Sequence, residues 1–137
     1  MEIVYTEEKK FTQAQVQALF LSVDWVSGAY PERLYKALMH SSTVLTAWDG
    51  TRLVGLARVL DDTEMTAFLH YVLVDPAYHG CGIGGGLVRR VREKYRDYLY
   101  LDIMPEERKN VPFYENLGFR KLPEGTAMQV CNPGEKR

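Results

Sequence analysis

A chain of 137 residues with 17 Lys and Arg against 18 Asp and Glu carries a formal charge of -1, which gives no general attraction to nucleic acid or to an anionic membrane. Its 46% hydrophobic and 26% charged content is ordinary for a globular protein, and at this length one domain buries about two thirds of its unfolded surface without staples. The two cysteines, Cys81 and Cys131, are too distant in sequence for a CxxC or Cys/His ligand cluster, so neither a metal nor a disulfide framework is expected.

The N-terminal MEIVYTEEKK has no basic-then-apolar signal pattern, and no apolar run approaches the ~18 residues of a membrane helix. A cytoplasmic protein in a reducing compartment is the expectation. Residues 2–6 alternate as a short strand. Thr12 and Gln15 then form a capping-box pair ahead of Val16, Leu19, Phe20 and Val23 at helical spacing. A second helix starts at Pro31, with Leu34, Tyr35 and Leu38 as its apolar stripe, and the loop DWVSGAY separates the two.

STVLTAW, the pair Asp49-Gly50 and TRLVGLARVL read as a hairpin around a two-residue Asp-Gly turn. The nearly continuous apolar run MTAFLHYVLV reads as a central strand covered on both faces. After a glycine-rich loop, Ile83, Leu87, Val88, Val91, Tyr95 and Tyr98 mark one face of a helix whose other face carries Arg89, Arg90, Arg92, Lys94 and Arg96. That basic face, interrupted by Glu93 and Asp97, reads as solvated. YLYLDI is a short buried strand, expected to run parallel to the strand before the loop through the crossover helix. NVPFYENLGF is a short helix stopped by Gly118, and residues 120–131 form a last hairpin around Pro123 and Gly125. The order βααβββαβαββ describes one α/β domain with a mixed, mostly antiparallel central sheet flanked by helices.

Chemistry concentrates in HGCGIGGGL, residues 79–87, which holds five glycines between a strand and a helix. A helix N-terminus presents unpaired N–H groups and about half a positive charge, so a side-chain-free loop leading into it suits a phosphate or pyrophosphate. Gly80-Cys81-Gly82-Ile83-Gly84-Gly85 also satisfies the dinucleotide pattern GxGxxG, with Asp102 about twenty residues on. Against that alternative, Asp75-Pro76-Ala77-Tyr78-His79 separate the strand from the first glycine, and too few residues follow for a six-strand doubly wound sheet. A Walker loop is excluded because no Gly-Lys-Ser/Thr is present.

Val72-Leu73-Val74-Asp75-Pro76 followed by Tyr78-His79-Gly80-Cys81-Gly82-Ile83-Gly84 resembles the acetyl-CoA signature of the GNAT N-acetyltransferase superfamily. Phe113-Tyr114-Glu115-Asn116-Leu117-Gly118-Phe119 is similar to that superfamily's second motif, in the expected order and spacing. Together with the element order, the resemblance extends over residues 1–137 as one N-acetyltransferase domain. LVGLARVLDD, FYENLGF and PEGTAM are also similar to a branch of short bacterial members and aralkylamine-type enzymes. His79 departs from the Gln or Arg usual at its position, and Glu107 from an Asn often found seven residues before the family's Tyr.

The resemblance implies the GNAT acyl-CoA N-acyltransferase fold and acetyl-CoA as co-substrate. Its pyrophosphate would rest on the N–H groups of Gly80, Cys81, Gly82, Ile83, Gly84 and Gly85, with His79 beside them among the cofactor-binding residues. Its pantetheine arm would run beside Val72, Leu73 and Val74, where the parallel strands splay after Leu73, with Phe113 bordering the cofactor. It further implies direct transfer to a primary amine of a small molecule in a ternary complex, with Tyr114 as general acid. His70, two residues before Val72 and expected on the same face, is the candidate base, with Tyr71 on the other face. Phe68 stands where some lysine-acetylating relatives carry Glu. Trp25 and Tyr30 flank the loop that in the family borders the acceptor pocket. Arg58 is expected to pair with Asp61 or Asp62. A non-catalytic acyl-CoA-binding module and a protein lysine or N-terminal acetyltransferase stay open as alternatives, and a homodimer is among the family's habits.

Overall fold

The computed structural model describes residues 2–132. Five strands, β1 (Ile3–Thr6), β2 (Thr43–Asp49), β3 (Arg52–Asp61), β4 (Thr66–Val74) and β5 (Tyr100–Ile103), lie side by side in chain order as one open sheet. The first four are antiparallel, and β5 runs parallel to β4. The crossover between them is α3 (Ile83–Lys94); α1 (Gln13–Ser22), α2 (Pro31–Met39) and α4 (Val111–Asn116) complete the helices. This is the mixed α/β sheet flanked by helices that the sequence implies.

Local chemistry explains where the helices begin. The Thr12 hydroxyl accepts from the Gln15 amide at 3.1 Å, and the Gln15 side chain accepts from the Thr12 amide at 2.8 Å, closing the capping box. Pro31 opens α2, where its missing N–H has no intrahelical partner to lose.

Each face of the sheet buries its own cluster. Val16, Leu19, Phe20, Leu34 and Leu38 of α1 and α2 pack on Val44, Leu56, Tyr71 and Leu73. On the other face Ile83, Leu87, Val88 and Val91 of α3 pack on Ala57, Val59, Ala67 and Leu69, and Tyr114 of α4 joins them. Each fully buried aliphatic side chain contributes about 1.5–3 kcal/mol, so these contacts fix α3 against the sheet. Gly86 lets α3 approach closely, because a Cβ there would lie 2.3 Å from the Tyr5 hydroxyl.

An irregularity in β4 matters for the site. Arg58 pairs with Tyr71 but Val59 pairs with Leu69, so His70 is an extra residue, a β-bulge. The bulge reverses the facing of the strand: Ala67 and Leu69 point to α3, whereas Tyr71 and Leu73 point to α1 and α2. His70 therefore shares a face with Tyr71, their rings 4.1 Å apart, and not with Val72. A strict two-residue alternation misplaces it.

Two further expectations are corrected. The turn between β2 and β3 is Gly50-Thr51, one residue later than Asp49-Gly50, since Asp49 still pairs with Arg52. The hairpin over residues 120–131 does not form. Its turn closes, with the Gly125 amide donating to the Leu122 carbonyl at 3.0 Å, but the flanking arms join no ladder among the described residues. Among the described residues no helix is long and apolar enough to cross a membrane.

Candidate active site

The β4–β5 ladder ends at Leu69↔Ile103, while β4 continues to Val74. The splay thus begins four residues earlier than Leu73, because β5 is only four residues long. Past that point β4 keeps β3 as its single neighbour, and one row of its backbone groups faces an opening. That opening is a cleft of about 820 Å³, with Val72, Leu73 and Val74 along one wall and Phe113 and Tyr114 of α4 along another.

The N-terminus of α3 closes one end. Gly82, its N-cap, sits at φ 79°, a left-handed conformation that only glycine adopts without strain, and contributes no capping side chain. The first amide of the helix to find an acceptor is that of Gly86, which donates to the Gly82 carbonyl at 3.0 Å. The N–H groups before it, with the positive end of the helix dipole, are presented to the cleft that Gly82, Ile83, Gly84 and Gly85 line.

Gly84 and Gly85 are not required by the protein's own packing. A Cβ on Gly84 would stand 3.4 Å from the Phe113 ring, an ordinary contact, and one on Gly85 would meet the far end of the Arg89 side chain at 3.1 Å. Each nevertheless forgoes about 1 kcal/mol of helix propensity relative to alanine. The surface they leave bare faces the cleft, where a group could approach the main chain closely. Chemically, an uncapped helix start can hold an anion and an open strand edge can pair with amides.

The loop from β4 to α3 is braced from below. Asp75 caps the Pro76–Tyr78 turn by accepting from the Ala77 amide at 2.9 Å, and its other oxygen takes Arg52 at 2.9 Å. The Tyr78 hydroxyl donates to Asp49 at 2.5 Å. His79 Nε2 donates to the Val74 carbonyl at 3.0 Å, so this imidazole is turned back onto the strand end. Cys81 is exposed and lies outside the cleft lining, unlike the other loop positions singled out in the sequence.

Tyr114 projects from α4 between Phe113 and Phe119, both edge-on to it at 4.9 and 5.8 Å. Burial pushes its phenol up to about 12. Its hydroxyl has no hydrogen-bond partner among the described residues, and the residue lines the cleft, so a protonated phenol stands in the cleft wall.

His70 is not brought together with Tyr114. It lies on the opposite face of the sheet and outside the cleft lining. Arg58 Nη1 lies 2.7 Å from its Nδ1, and since a guanidinium has no acceptor, Nδ1 accepts. Arg58 makes no ion pair with Asp61 or Asp62. Its Nε donates to the Ser41 hydroxyl at 2.8 Å, while Asp61 accepts from Tyr95 and Asp62 caps its own turn through the amides of Glu64, Met65 and Thr66. Burial lowers the Arg58 pKa.

Trp25 borders the mouth of the cleft, its ring tilted by 37° and 5.6 Å from that of Tyr71, whose hydroxyl hydrogen-bonds Ser27 at 2.7 Å. Tyr30 does not line it; that ring is exposed beneath Arg33. Sequence reasoning passed over Asp24, which lines the same mouth at φ 58°. The signal available in the sequence was a carboxylate directly before aromatic Trp25 in the loop between two helices; its left-handed backbone shows only in the structure. The basic face of α3 is engaged locally: Lys94 pairs with Glu7, Arg96 with Glu93, and Arg90 lies 3.7 Å over the Tyr5 ring.

Known proteins agree with this geometry. The family model described as the acetyltransferase (GNAT) family matches residues 6–119. A soybean (Glycine max) protein named histone acetyltransferase TAP1 is 30% identical over 90% of this chain and 58% of its own length. A Trypanosoma brucei brucei glucosamine 6-phosphate N-acetyltransferase is 36% identical over 50% of this chain and 52% of its own. The chain therefore spans little more than half the length of these curated relatives. Among solved structures, the GNAT family acetyltransferase SP0256 from Streptococcus pneumoniae TIGR4 superposes with a TM-score of 0.82 at 29% identity, covering 96% of this chain and 98% of that one.

Proposed function

Because the chain belongs to the GNAT acetyltransferase family, we propose that it transfers the acetyl group of acetyl-CoA to a primary amine of a small molecule, by direct attack within a ternary complex. The observation that carries this reading is the junction of two unpaired backbone surfaces in one cleft. The open edge of β4 and the uncapped start of α3 meet there, and Gly84 and Gly85 leave the main chain bare without need from the fold.

Acetyl-CoA supplies an activated acetyl group as a thioester. The amides of residues 82–85 would hold its diphosphate, and the edge of β4 at Val72, Leu73 and Val74 would hold its amide-bearing arm. Backbone N–H groups of that edge would also polarise the thioester carbonyl and stabilise its developing negative charge. The exchange of a C–S for a C–N bond then requires a neutral amine, and its surplus proton leaves to water in the open mouth of the cleft.

Tyr114 serves the departing sulfur. With its phenol pushed up to about 12, it stays protonated at neutral pH and stabilises a thiolate by hydrogen-bond donation, whereas complete transfer to a thiolate of ordinary pKa near ~8.5 would be uphill. Asp24 at the mouth attracts an ammonium-bearing acceptor, and Trp25 gives it an aromatic wall. This combination favours a small aralkyl or alkyl amine.

The test is release of CoA thiol from acetyl-CoA over a panel of arylalkylamines, polyamines, aminoglycosides, amino acids and lysine peptides, beside calorimetry with CoA. Turnover with a small amine and saturable CoA binding are expected. Binding without turnover on any amine would leave an acyl-CoA-binding module, and turnover confined to peptides would make this a protein acetyltransferase.

A further inference from the structure

Arg92 lies on the basic face of α3, which by its composition reads as solvated. Its guanidinium is nevertheless engaged. Arg92 Nη1 donates to the Leu117 carbonyl at 3.1 Å, so α3 reaches across to the C-terminal end of α4. A Cβ on Gly118 would stand 2.6 Å from the same nitrogen, and a glycine at φ 98° is what leaves that approach open.

The way α4 ends explains why that carbonyl is the one taken. The Phe119 amide donates to the Tyr114 carbonyl at 3.1 Å and the Gly118 amide to the Glu115 carbonyl at 3.1 Å, the paired closure by which a left-handed glycine stops a helix. Two carbonyls of the last turn are thereby satisfied. Leu117, the C-cap, keeps its carbonyl outside this closure, and a cation there also meets the negative end of the helix. A helix of six residues does not hold itself in water, so α4 takes its position from what it docks against. Tyr114, Leu117 and Phe119 pack on the cluster around α3. Those apolar contacts are non-directional, whereas the hydrogen bond from Arg92 fixes an angle as well as a distance.

We propose that Arg92 is a positioning residue for acetyl transfer: by tying the C-cap of α4 to α3, it holds the Tyr114 phenol where the departing sulfur forms. The inference rests on Tyr114 serving that sulfur. Tyr114 stands one helical turn from Leu117, and its own carbonyl belongs to the closure that Arg92 anchors. The helix that begins at the glycine loop thus also sets where α4 stands, which gives the amides of residues 82–85 and the phenol one rigid reference.

The experiment pairs kinetics with amide hydrogen exchange. Arg92 is exposed, so Arg92→Met keeps an apolar stem, removes the donor and should fold. The expected result is a ~10-fold fall in kcat with KM for acetyl-CoA within ~2-fold, and exchange of the Gly118 and Phe119 amides faster by ~10-fold. Arg92→Lys, which keeps a cationic donor, should restore most of the rate. In the Tyr114→Phe background the Arg92→Met change should cost less than ~2-fold, because its effect passes through the hydroxyl. An equal loss in both backgrounds overturns the proposal, and so does an unchanged kcat with unchanged exchange. Faster exchange with an unchanged kcat would make Arg92 a cap of α4 and nothing more, which overturns it equally. A parent without turnover, or a fully active Tyr114→Phe, strikes the role of Tyr114 and this proposal with it, and the Tyr114→Phe arm identifies that failure separately from one at Arg92.

Discussion

Arg58 Nη1 donates to Nδ1 of His70 at 2.7 Å, and this one contact decides what the histidine can do. In the neutral ring the proton then sits on Nε2, and the only lone pair able to take another is already engaged by a permanent cation. With that nitrogen engaged and the ring on the face away from Tyr114, His70 is not placed to take a proton from an amine in the cleft. His70→Gln, whose amide oxygen can still accept from Arg58, is therefore expected to lower kcat/KM by less than ~10-fold and to leave its pH profile in place. Loss of a true general base costs about 10²–10⁴-fold. Rate against pH for the two proteins settles the matter, and disappearance of an acidic limb in the variant would return His70 to the role the sequence assigns it.

Three neighbouring glycines give opposite signs. Gly84→Ala places a methyl at ordinary contact distance and Gly85→Ala needs only the flexible end of Arg89 to yield, so each should stabilise the ligand-free protein by up to ~1 kcal/mol through helix propensity. The same methyls intrude on the cradle, so CoA affinity by calorimetry should fall by ~10-fold or more, about 1.4 kcal/mol. Gly86→Ala drives its Cβ to 2.3 Å from the Tyr5 hydroxyl, which overpacks the contact between α3 and β1 and should lower stability by about 1–3 kcal/mol. If all three variants lost stability together, the bare surface would belong to the fold and not to a ligand.

How far the sequence carries can be seen at particular residues. The capping box at Thr12, Pro31 at the start of α2 and Gly118 at the end of α4, at φ 98°, are local devices whose chemistry lies within four residues, and each appears as read. The cradle was legible for the same reason: uncapped amides and glycines are consecutive. What failed depends on contacts between distant segments. The bulge that turns His70 away from Val72 is visible only in the register between β3 and β4, and the partners that displace Asp61 and Asp62 from Arg58 come from α3 and the turn after β3. The arms of the last hairpin have strand-like residues and a formed turn; no local pattern says whether they pair.

Two tyrosines make the fold sensitive to alkali. Burial is the main cause that raises the pKa of both Tyr114 and Tyr95, and Tyr95 also donates to Asp61 at 2.6 Å. Below the unfolded value of ~10 both states hold the phenol proton and stability is unaffected. Above it the unfolded chain ionises while the folded tyrosines do not, so stability falls as pH rises toward their folded values. For Tyr114, pushed up to about 12, the loss is on the order of 2 kcal/mol between pH ~10 and ~12. Urea midpoints across that window should drop for the parent and drop less steeply in Tyr114→Phe and in Tyr95→Phe; parallel curves for all three would mean that neither phenol is held neutral by the fold.

Tyr114→Phe also separates binding from chemistry. The hydroxyl meets no partner among the described residues and the ring keeps its edge-on contacts with Phe113 and Phe119, so the variant should fold and bind CoA with little change. If the hydroxyl donates to the departing sulfur, kcat with acetyl-CoA falls by ~10²-fold while KM for acetyl-CoA moves little, the signature of an interaction made chiefly in the transition state. A phenol pushed up to about 12 stays protonated through the assay range, so the parent should show no alkaline limb from Tyr114 below pH ~10. Replacing the acetyl thioester by one with a more acidic thiol, which leaves without assistance, should narrow the gap between parent and variant. Equal deficits with both thioesters would move Tyr114 from the leaving group to the wall of the cleft.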